Sequence, residues 1–149
     1  MNTLSENKRA RFDYEVLDTY EAGIELKGFE VKSVKNGRMN LAGTFVVPKG
    51  NELYLLNADI SPYQANNTPK DYDSKRSRRI LLKHAEIKEL IGKITSTSLT
   101  LVPLRVYNKG RLVKVEIALV KPKKKYDKRE TTKKREAKRM IGRTLKREQ

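Results

Sequence analysis

The sequence lacks the residues from which most small metal and redox centres are built. It contains no cysteine, and His84 is its one histidine. A disulfide framework and a thiolate zinc site are therefore excluded, and a single imidazole cannot build a multi-histidine site. No apolar run approaches the ~20 residues that cross a bilayer, and the polar N-terminus has no signal-peptide core. These absences predict a cytoplasmic protein without metal ion or cofactor.

Motifs of catalysis are missing as well. No phosphate-binding loop, dinucleotide-binding glycine signature or nucleophile elbow occurs in the chain. Glu21, Glu30 and Asp59 could hold a metal ion for a nuclease, but nothing in their spacing indicates that they converge. We expect His84 at the surface or in the first turn of a helix rather than as a catalytic base. The prediction is a binding protein with no catalytic residues, and a nuclease is a distant alternative.

Positive charge is what the sequence has in abundance. Its 149 residues include 34 Lys and Arg against 18 Asp and Glu, a net charge of +16. Residues 121–149 hold 14 of the basic and four of the acidic residues, a net of +10, which leaves +6 for residues 1–120. Each phosphate that such an arm neutralises releases counterions, so nucleic acid is the favoured partner. A solvated tail is the plain alternative, and an anionic membrane is a weaker one because large apolar anchors are few.

The chain therefore divides into a body and a tail. Residues 1–120 are enough for one hydrophobic core, and residues 121–149 form a basic tail. In that tail, Met140 and Ile141 belong to a thin apolar stripe at helical spacing on an otherwise cationic segment. We expect such a segment to be disordered in the free protein and to become helical on its target.

Runs of alternating apolar and polar residues predict strands in the body. Residues 12–16 alternate in this way, and residues 19–23 are predicted to break that strand. Two β-hairpins follow, and their strands are residues 44–47 with 52–56 and residues 99–107 with 112–119. Pro103 lacks a ladder donor and marks an edge or a bulge. Lys121 and Pro122 are predicted to end the sheet.

Two segments have helical spacing instead. Residues 28–37 are predicted to form a short helix with Lys32, Lys35 and Arg38 on its exposed side. Apolar residues at 87, 90, 91 and 94 predict an amphipathic helix whose apolar face caps a sheet. Strands in hairpin order with helices between them favour a mainly β fold, a small antiparallel barrel with two or three helices, over a doubly wound sheet.

A polar loop and a basic cluster separate the first hairpin from the second helix. Residues 64–77 have almost no apolar side chains and are expected to be mobile. Arg76, Arg78 and Arg79 form a dense cationic cluster at their end.

Basic residues interleaved with aromatic side chains point to RNA among the polyanions. Arg9 and Arg11 precede Phe12, and a lysine-rich run precedes Tyr126. Planar guanidinium and aromatic groups suit unstacked RNA bases, whereas lysines mainly address phosphates. For Phe12 itself, packing in the core is the expected role.

Six short blocks in order along the chain carry a family resemblance. They are NKRAR at 7–11, YEAG at 20–23, GFEVKSVKNG at 28–37 with NL at 40–41, ISPY at 60–63, LTLVPL at 99–104 and YDKRE at 126–130. At these spacings they resemble the SsrA-binding protein family, also called small protein B, the partner of transfer-messenger RNA in bacterial trans-translation. The resemblance implies an oligonucleotide-binding (OB) type barrel with attached helices and no enzymatic activity.

The same resemblance implies a mode of action. The family binds the tRNA-like domain of alanine-charged transfer-messenger RNA, replaces its missing anticodon arm and delivers it to ribosomes stalled without a stop codon. The implied partners are that RNA, small-subunit ribosomal RNA at the decoding region and messenger channel, and elongation factor Tu through the charged RNA. We expect a monomer with no membrane partner, whose tail probes whether the messenger channel is empty.

Candidate contacts come from the matched blocks and from exposed basic residues. Glu21 falls where the family has a residue important for RNA binding, and either Lys83 or His84 stands at a second such position. The expected RNA contacts are Asn7, Lys8, Arg9, Arg11, Glu21, Lys32, Lys35, Arg38, Asn40, Arg76, Arg78 and Arg79. The expected ribosome contacts in the tail are Tyr126, Asp127, Lys128, Arg129, Lys133, Lys134, Arg135, Met140 and Ile141. A structural ribosomal protein, anchored by its basic tail, is the alternative that composition leaves open.

Overall fold

Antiparallel strands with attached helices make up the part of the chain that the computed structural model describes, which is residues 2–64, 66 and 68–123. The strands are β1 Asn2–Glu6, β2 Tyr14–Ile24, β3 Met39–Asn40, β4 Phe45–Lys49, β5 Glu52–Leu56, β6 Asp59–Ile60, β7 Arg78–Leu81, β8 Thr100–Lys109 and β9 Leu112–Pro122. The helices are α1 Ala10–Asp13, α2 Gly28–Lys35 and α3 His84–Ser96.

The main sheet closes on itself. Its strand order is β1-β8-β4-β5-β7-β2-β9, and β9 pairs back with β8, so that six antiparallel strands form a ring with β1 added alongside β8. Closure removes the free strand edges of an open sheet. β3 and β6 form a separate two-stranded sheet. The predicted mainly β fold, a small antiparallel OB-like barrel with helices, is confirmed.

Both predicted hairpins are present. β4 pairs with β5 and β8 pairs with β9, and the turns carry Gly50 and Gly110 at φ values of 64° and 62°. Residues with side chains rarely adopt this left-handed region, so glycine allows the chain to reverse there. The ladder between β8 and β9 shifts register between Pro103 and Arg105. This shift confirms the predicted bulge.

Alternating apolar residues of the strands fill the barrel. In β9, Val115, Ile117 and Leu119 are buried in the main core. Helix α3 adds Ile87 and Leu90 to the same core, as its helical spacing predicts. Each such side chain contributes ~1.5–3 kcal/mol when buried. The core therefore fixes the strands on which the surface residues stand.

Helix α2 is the other helix that the sequence predicts. Its backbone ends where Asn36 donates to the Lys32 carbonyl oxygen at 3.2 Å, and Gly37 follows at a φ of 75°. Val34 is buried, whereas Lys32 and Lys35 are exposed. The predicted basic outer side of this helix is confirmed.

The N-terminal part of the chain differs from its prediction. Residues 2–6 form β1 against β8, although their polar sequence has no strand pattern. Phe12 lies in α1 rather than in a strand, because Ala10 of that helix packs on a second apolar cluster that includes Val102.

The predicted break in β2 is wrong. The strand runs unbroken over Tyr14–Ile24 and pairs with β9 along most of its length. It absorbs one irregularity as a register shift between Val16 and Asp18. Gly23 allows close packing rather than a turn, since a Cβ there would lie 3.2 Å from the Cβ of Leu81 in β7.

Strand β9 extends two residues into the predicted tail. β9 continues through Lys121 to Pro122, which lies opposite Tyr14. Val120 is fully buried in the second apolar cluster. Lys121 and Pro122, the first two residues of the predicted tail, are therefore paired within the sheet.

Candidate nucleic-acid interface

Glu21 lies on the outer face of the barrel, where β2, β9 and β8 run side by side. It stands opposite Glu116, which in turn stands opposite Arg105, and directly opposed residues share a face. The Tyr107 hydroxyl donates to Glu21 Oε2, and the Lys109 ammonium donates to Oε1 at 2.9 Å. These two donors lower the pKa of Glu21. Its carboxylate is therefore ionised at neutral pH and held in one orientation.

The Tyr107 ring forms the floor of this surface. Only 2 % of the residue is exposed, and the guanidinium carbon of Arg105 lies 4.4 Å from its ring centroid. Burial and the hydrogen bond to Glu21 raise the pKa of Tyr107 to about 12. Arg105 also lies 3.6 Å from a carboxylate oxygen of Glu116. The buried Tyr107 therefore orients the exposed carboxylate of Glu21, and its ring contacts the partly exposed guanidinium of Arg105.

Basic side chains surround this carboxylate. Lys109 and Lys114 add to the lowering of the Glu21 pKa. Lys35 of α2 reaches the turn between β8 and β9, where its ammonium lies 3.5 Å from the carbonyl oxygen of Arg111. Lys109, Arg111 and Lys114 are absent from the predicted contacts. The alternation in β9 and the glycine turn before it are the signals that could have located them.

The basic N-terminal segment borders the same surface. Asn7 fixes the segment to the barrel, because its side-chain amide donates to the Pro103 carbonyl oxygen at 3.0 Å. Lys8 and Arg11 line a groove of about 360 Å³ together with Arg105. Glu116, which stands opposite Glu21, lines the same groove, so two of the predicted N-terminal cations border the strand beside Glu21.

Two other predicted contacts make local interactions. Arg9 lies with its guanidinium carbon 5.1 Å from the Phe12 ring centroid and its Nε 3.6 Å from an Asp13 oxygen, yet it stays largely exposed. The side-chain oxygen of Asn40 accepts a hydrogen bond from the Ala42 N–H at 2.8 Å. Asn40 therefore shapes a turn at the surface.

The predicted cationic cluster at residues 76–79 is largely neutralised. Arg78 is fully buried, and it donates to Glu30 through Nε at 2.9 Å and Nη2 at 2.6 Å and to the Ala58 carbonyl oxygen at 2.7 Å. Arg76 donates to both oxygens of the same carboxylate. The interpretation of Arg78 as an exposed RNA contact is wrong, because its guanidinium has no surface from which to reach RNA.

Glu30 is the centre of this buried network. Burial raises its pKa, but hydrogen bonds from Arg76, the backbone of Lys27 and Arg78 outweigh that effect and lower the pKa to about 2. The Tyr72 hydroxyl also donates to Glu30, at 2.9 Å. The polar loop that was expected to be mobile is therefore anchored to α2 at Tyr72 and Arg76.

The residues after this network stay at the surface. Arg79 pairs with Glu25 at 2.8 Å, and both side chains are partly exposed. Lys83 is the N-cap of α3 and His84 is its first residue, which confirms the predicted place of His84. Both side chains are exposed, so both remain candidates for the family contact at this position.

Lys32 and Arg38 form a further basic group on and after α2. Arg38 donates to the Pro62 carbonyl oxygen at 3.1 Å, and its guanidinium carbon lies 5.8 Å from the Tyr63 ring centroid. Lys32 lines a groove with Phe29 and Tyr63. The same helix carries Lys35, whose ammonium lies 3.5 Å from the Arg111 carbonyl oxygen in the turn between β8 and β9.

Other predictions fall outside the described part of the chain or concern absent features. The tail contacts lie beyond the described residues, and they are Tyr126, Asp127, Lys128, Arg129, Lys133, Lys134, Arg135, Met140 and Ile141. Within residues 2–64, 66 and 68–123, no helix is long and apolar enough to cross a membrane. Over the same ranges, no three His, Asp or Glu side chains converge as metal ligands.

Known proteins resemble this chain over nearly its whole length. A family model described as SmpB protein matches residues 4–147. The SsrA-binding protein of Trichodesmium erythraeum is 50 % identical over 143 residues, which cover 96 % of this chain and 92 % of that protein. The SsrA-binding protein of Pseudothermotoga lettingae is 50 % identical over 147 residues, which cover 98 % of each chain.

A solved structure shares both sequence and fold with this chain. It is described as "tmRNA-SmpB: a journey to the center of the bacterial ribosome". Its matching chain is 45 % identical, with a TM-score of 0.65, and the match covers 80 % of this chain and 84 % of that one.

Proposed function

This chain belongs to the SmpB family of SsrA-binding proteins, and from that membership we propose that it binds transfer-messenger RNA and delivers it to stalled ribosomes for trans-translation. The observation that carries the proposal is the 45 % identical chain, with a TM-score of 0.65, from a structure described as transfer-messenger RNA with SmpB in the bacterial ribosome. We propose that the barrel holds the tRNA-like domain of that RNA.

In this proposal the surface around Glu21 supplies affinity for the RNA and also fixes the position of the RNA on the barrel. Lys35, Lys109 and Lys114 address phosphates, and each neutralised phosphate releases counterions. A carboxylate among these cations repels phosphate, so Glu21 accepts hydrogen bonds from base amino groups or ribose hydroxyls instead. Because Tyr107 and Lys109 already orient both of its oxygens, its remaining lone pairs are directed at one place on the RNA.

The tail beyond Pro122 is proposed to act on the ribosome. The net charge of +10 over residues 121–149 favours a channel walled by RNA. Tyr126, Asp127, Lys128 and Arg129 are proposed to guide the tail into the messenger channel. Messenger RNA already in the channel would exclude the tail sterically, so the tail distinguishes stalled ribosomes from translating ones.

RNA that co-purifies with the protein from its host tests the proposal. One predominant tRNA-like species is the expected result, and broad ribosomal RNA fragments would indicate a structural ribosomal protein instead. Glu21→Gln should reduce recovery of the tRNA-like RNA. Glu15→Gln is the matched control, since Glu15 lies on the same strand and is paired with Lys121 at 3.3 Å.

We further propose a monomeric cytoplasmic factor that has no catalytic activity of its own and meets elongation factor Tu only through the charged RNA. Membership of an RNA-binding family supports this assignment. Incubation of the pure protein with labelled structured RNA and Mg²⁺ or Mn²⁺ should leave the RNA intact. Cleavage that disappears in Glu21→Gln or Asp59→Asn would contradict it.

A further inference from the structure

A groove beside α2 is lined by two aromatic rings, those of Phe29 and Tyr63. Gly28, Phe29 and Lys32 of α2 form one side, and Tyr63 and Gln64 form the other, around a volume of about 440 Å³. Sites for small ligands typically span ~300–1,000 Å³. The groove therefore has room for a flat aromatic group.

The ring of Phe29 is held in place from behind. It meets Tyr72 edge to face, with centroids 4.9 Å apart and an interplanar angle of 87°. The Tyr72 hydroxyl donates to Glu30 at 2.9 Å, lies 3.0 Å from the Ile60 carbonyl oxygen as an alternative acceptor, and accepts from Arg78 at 3.0 Å. The buried network around Glu30 thus fixes one wall of the groove.

Arg38 fixes the opposite wall. Its Nη1 donates to the carbonyl oxygens of Pro62 and Tyr63 at 3.1 and 3.4 Å. The Ser61 N–H donates to the Arg38 carbonyl oxygen at 3.2 Å. Tyr63 is held by these contacts while its side chain remains half-exposed. The Phe29 ring and the backbone at Tyr63 are therefore positioned before any ligand arrives, and the guanidinium carbon of Arg38 lies 5.8 Å from the Tyr63 ring centroid.

The polar groups of the groove suit a nucleotide better than an aromatic residue of a partner protein. Lys32 is the one charged residue among the five that line it, and an ammonium there attracts the phosphate next to a base. A phenylalanine or tyrosine ring of a partner protein would leave this charge unused.

We propose that this groove binds one unpaired RNA base, which contacts Phe29 and Tyr63 while Lys32 binds its phosphate. The inference rests on the proposed RNA-binding function but concerns residues outside the Glu21 surface. Aromatic side chains stack on bases with little dependence on sequence, and loss of one such contact weakens binding about fivefold to 100-fold. A base in this groove would tie α2 to the RNA independently of the phosphate contacts made by Lys35.

Substitution of Tyr63 separates stacking from charge. Tyr63→Leu keeps an apolar side chain but removes the π face, whereas Tyr63→Phe keeps the ring and is the matched control. We expect Tyr63→Leu to bind transfer-messenger RNA at least about fivefold more weakly with an unchanged salt dependence, and Tyr63→Phe to bind as wild type does. Equal binding by the two variants, at an unchanged unfolding midpoint, would overturn the proposal.

Substitution of Lys32 tests the phosphate contact. Lys32→Gln should weaken binding and reduce the slope of log affinity against log salt by ~0.7, the value for one phosphate on a single strand. Lys70→Gln is the control, because Lys70 is exposed and does not line the groove. An unchanged slope in Lys32→Gln would remove Lys32 from the RNA contact and contradict the proposal.

Photocrosslinking tests the groove in the wild-type protein, so its result does not depend on whether a variant folds. Irradiation at a wavelength absorbed by all four bases, with unmodified transfer-messenger RNA in one arm and ribosomes in the other, identifies the source of the base. An adduct on Phe29 or Tyr63 in the transfer-messenger RNA arm supports the proposal, whereas an adduct confined to the ribosome arm, or none in either arm, overturns it. Failure of the wild-type protein to bind transfer-messenger RNA at all would refute the proposed function, whereas normal binding without an adduct refutes the groove alone.

Discussion

Glu30→Gln is the substitution that tests the buried ion network most directly. The carboxylate is fully buried and accepts hydrogen bonds from Arg76, Arg78, Tyr72 and the backbone of Lys27. Glutamine keeps the size of the side chain but cannot neutralise the guanidinium of Arg78, which is itself fully buried. The substitution therefore leaves a buried cation without its counter-charge.

The loss of folding stability caused by Glu30→Gln can be estimated in two ways, and the two values agree. The pKa of Glu30 falls from its ordinary 4.5 to about 2, and at ~1.4 kcal/mol per unit this corresponds to about 3 kcal/mol of stability. Removal of one partner from a buried pair costs ~3–5 kcal/mol in other proteins. For a domain of this size, the Tm should fall by roughly 10–20 °C.

Urea unfolding at pH 7, followed by circular dichroism, measures the loss. Glu30→Leu combined with Arg78→Leu removes both charges and should recover part of it. Glu25→Gln breaks only the exposed pair with Arg79 and should change stability by less than ~1 kcal/mol. A Glu30→Gln protein that unfolds at the wild-type urea concentration would show that the network does not hold the fold, and the reasoning would fail.

The same carboxylate gives stability a defined dependence on pH. Because the folded-state pKa of Glu30 is depressed, its contribution is complete above the unfolded value of 4.5 and is lost as the pH falls through about 2. Urea midpoints of the wild type should decline across that window, and those of Glu30→Gln should decline less. A parallel decline in both proteins would assign the acid sensitivity to other carboxylates.

Three further predictions concern the RNA surface and the tail. Tyr107→Phe removes the hydroxyl that orients Glu21 and should weaken binding of transfer-messenger RNA about two- to tenfold in a filter assay, less than Glu21→Gln does. Wild-type binding by Tyr107→Phe would mean that the hydroxyl does not orient Glu21 for the RNA. Truncation after Lys123 should leave a cooperatively folded barrel with a shallower salt dependence of RNA binding, whereas truncation before the buried Val120 should lower its urea midpoint. Alanine at residues 127–129 should spare binding of isolated RNA but abolish tagging on stalled ribosomes, and normal tagging would reduce the tail to an electrostatic tether.

The strands and helices that could be predicted from sequence are those that turn one face to the hydrophobic core, because the core then sets the spacing of their apolar residues. The hairpins of β4 with β5 and β8 with β9 alternate because one face of each strand lines the barrel, and α3 repeats at helical spacing because one stripe covers it. β1 could not be predicted, since residues 2–6 become a strand by pairing with β8 and not by their own pattern. The continuity of β2 through Gly23 likewise depends on its neighbours, where the missing side chain admits Leu81.

The pairing of charges was harder to predict than the strands. Arg78 and Arg79 are adjacent in sequence, yet the first is buried and the second exposed, because neighbours in β7 face opposite sides of the sheet. The buried Ile80, two residues after Arg78, was a signal that Arg78 also faces inward. The sequence offered no comparable signal for its partner, since Glu30 lies 48 residues earlier on another element.

This pairing decides which cations are available to RNA. A buried guanidinium is tolerated only when an acid neutralises it, so Glu30 withdraws Arg78 from the surface and engages Arg76. Glu21 has the opposite effect, because it stands exposed among Lys109 and its basic neighbours and, with Glu116 opposite it, places negative charge within a cationic surface. Net charge therefore predicts that the protein binds a polyanion, whereas the tertiary placement of these two acids predicts where it binds and in what orientation.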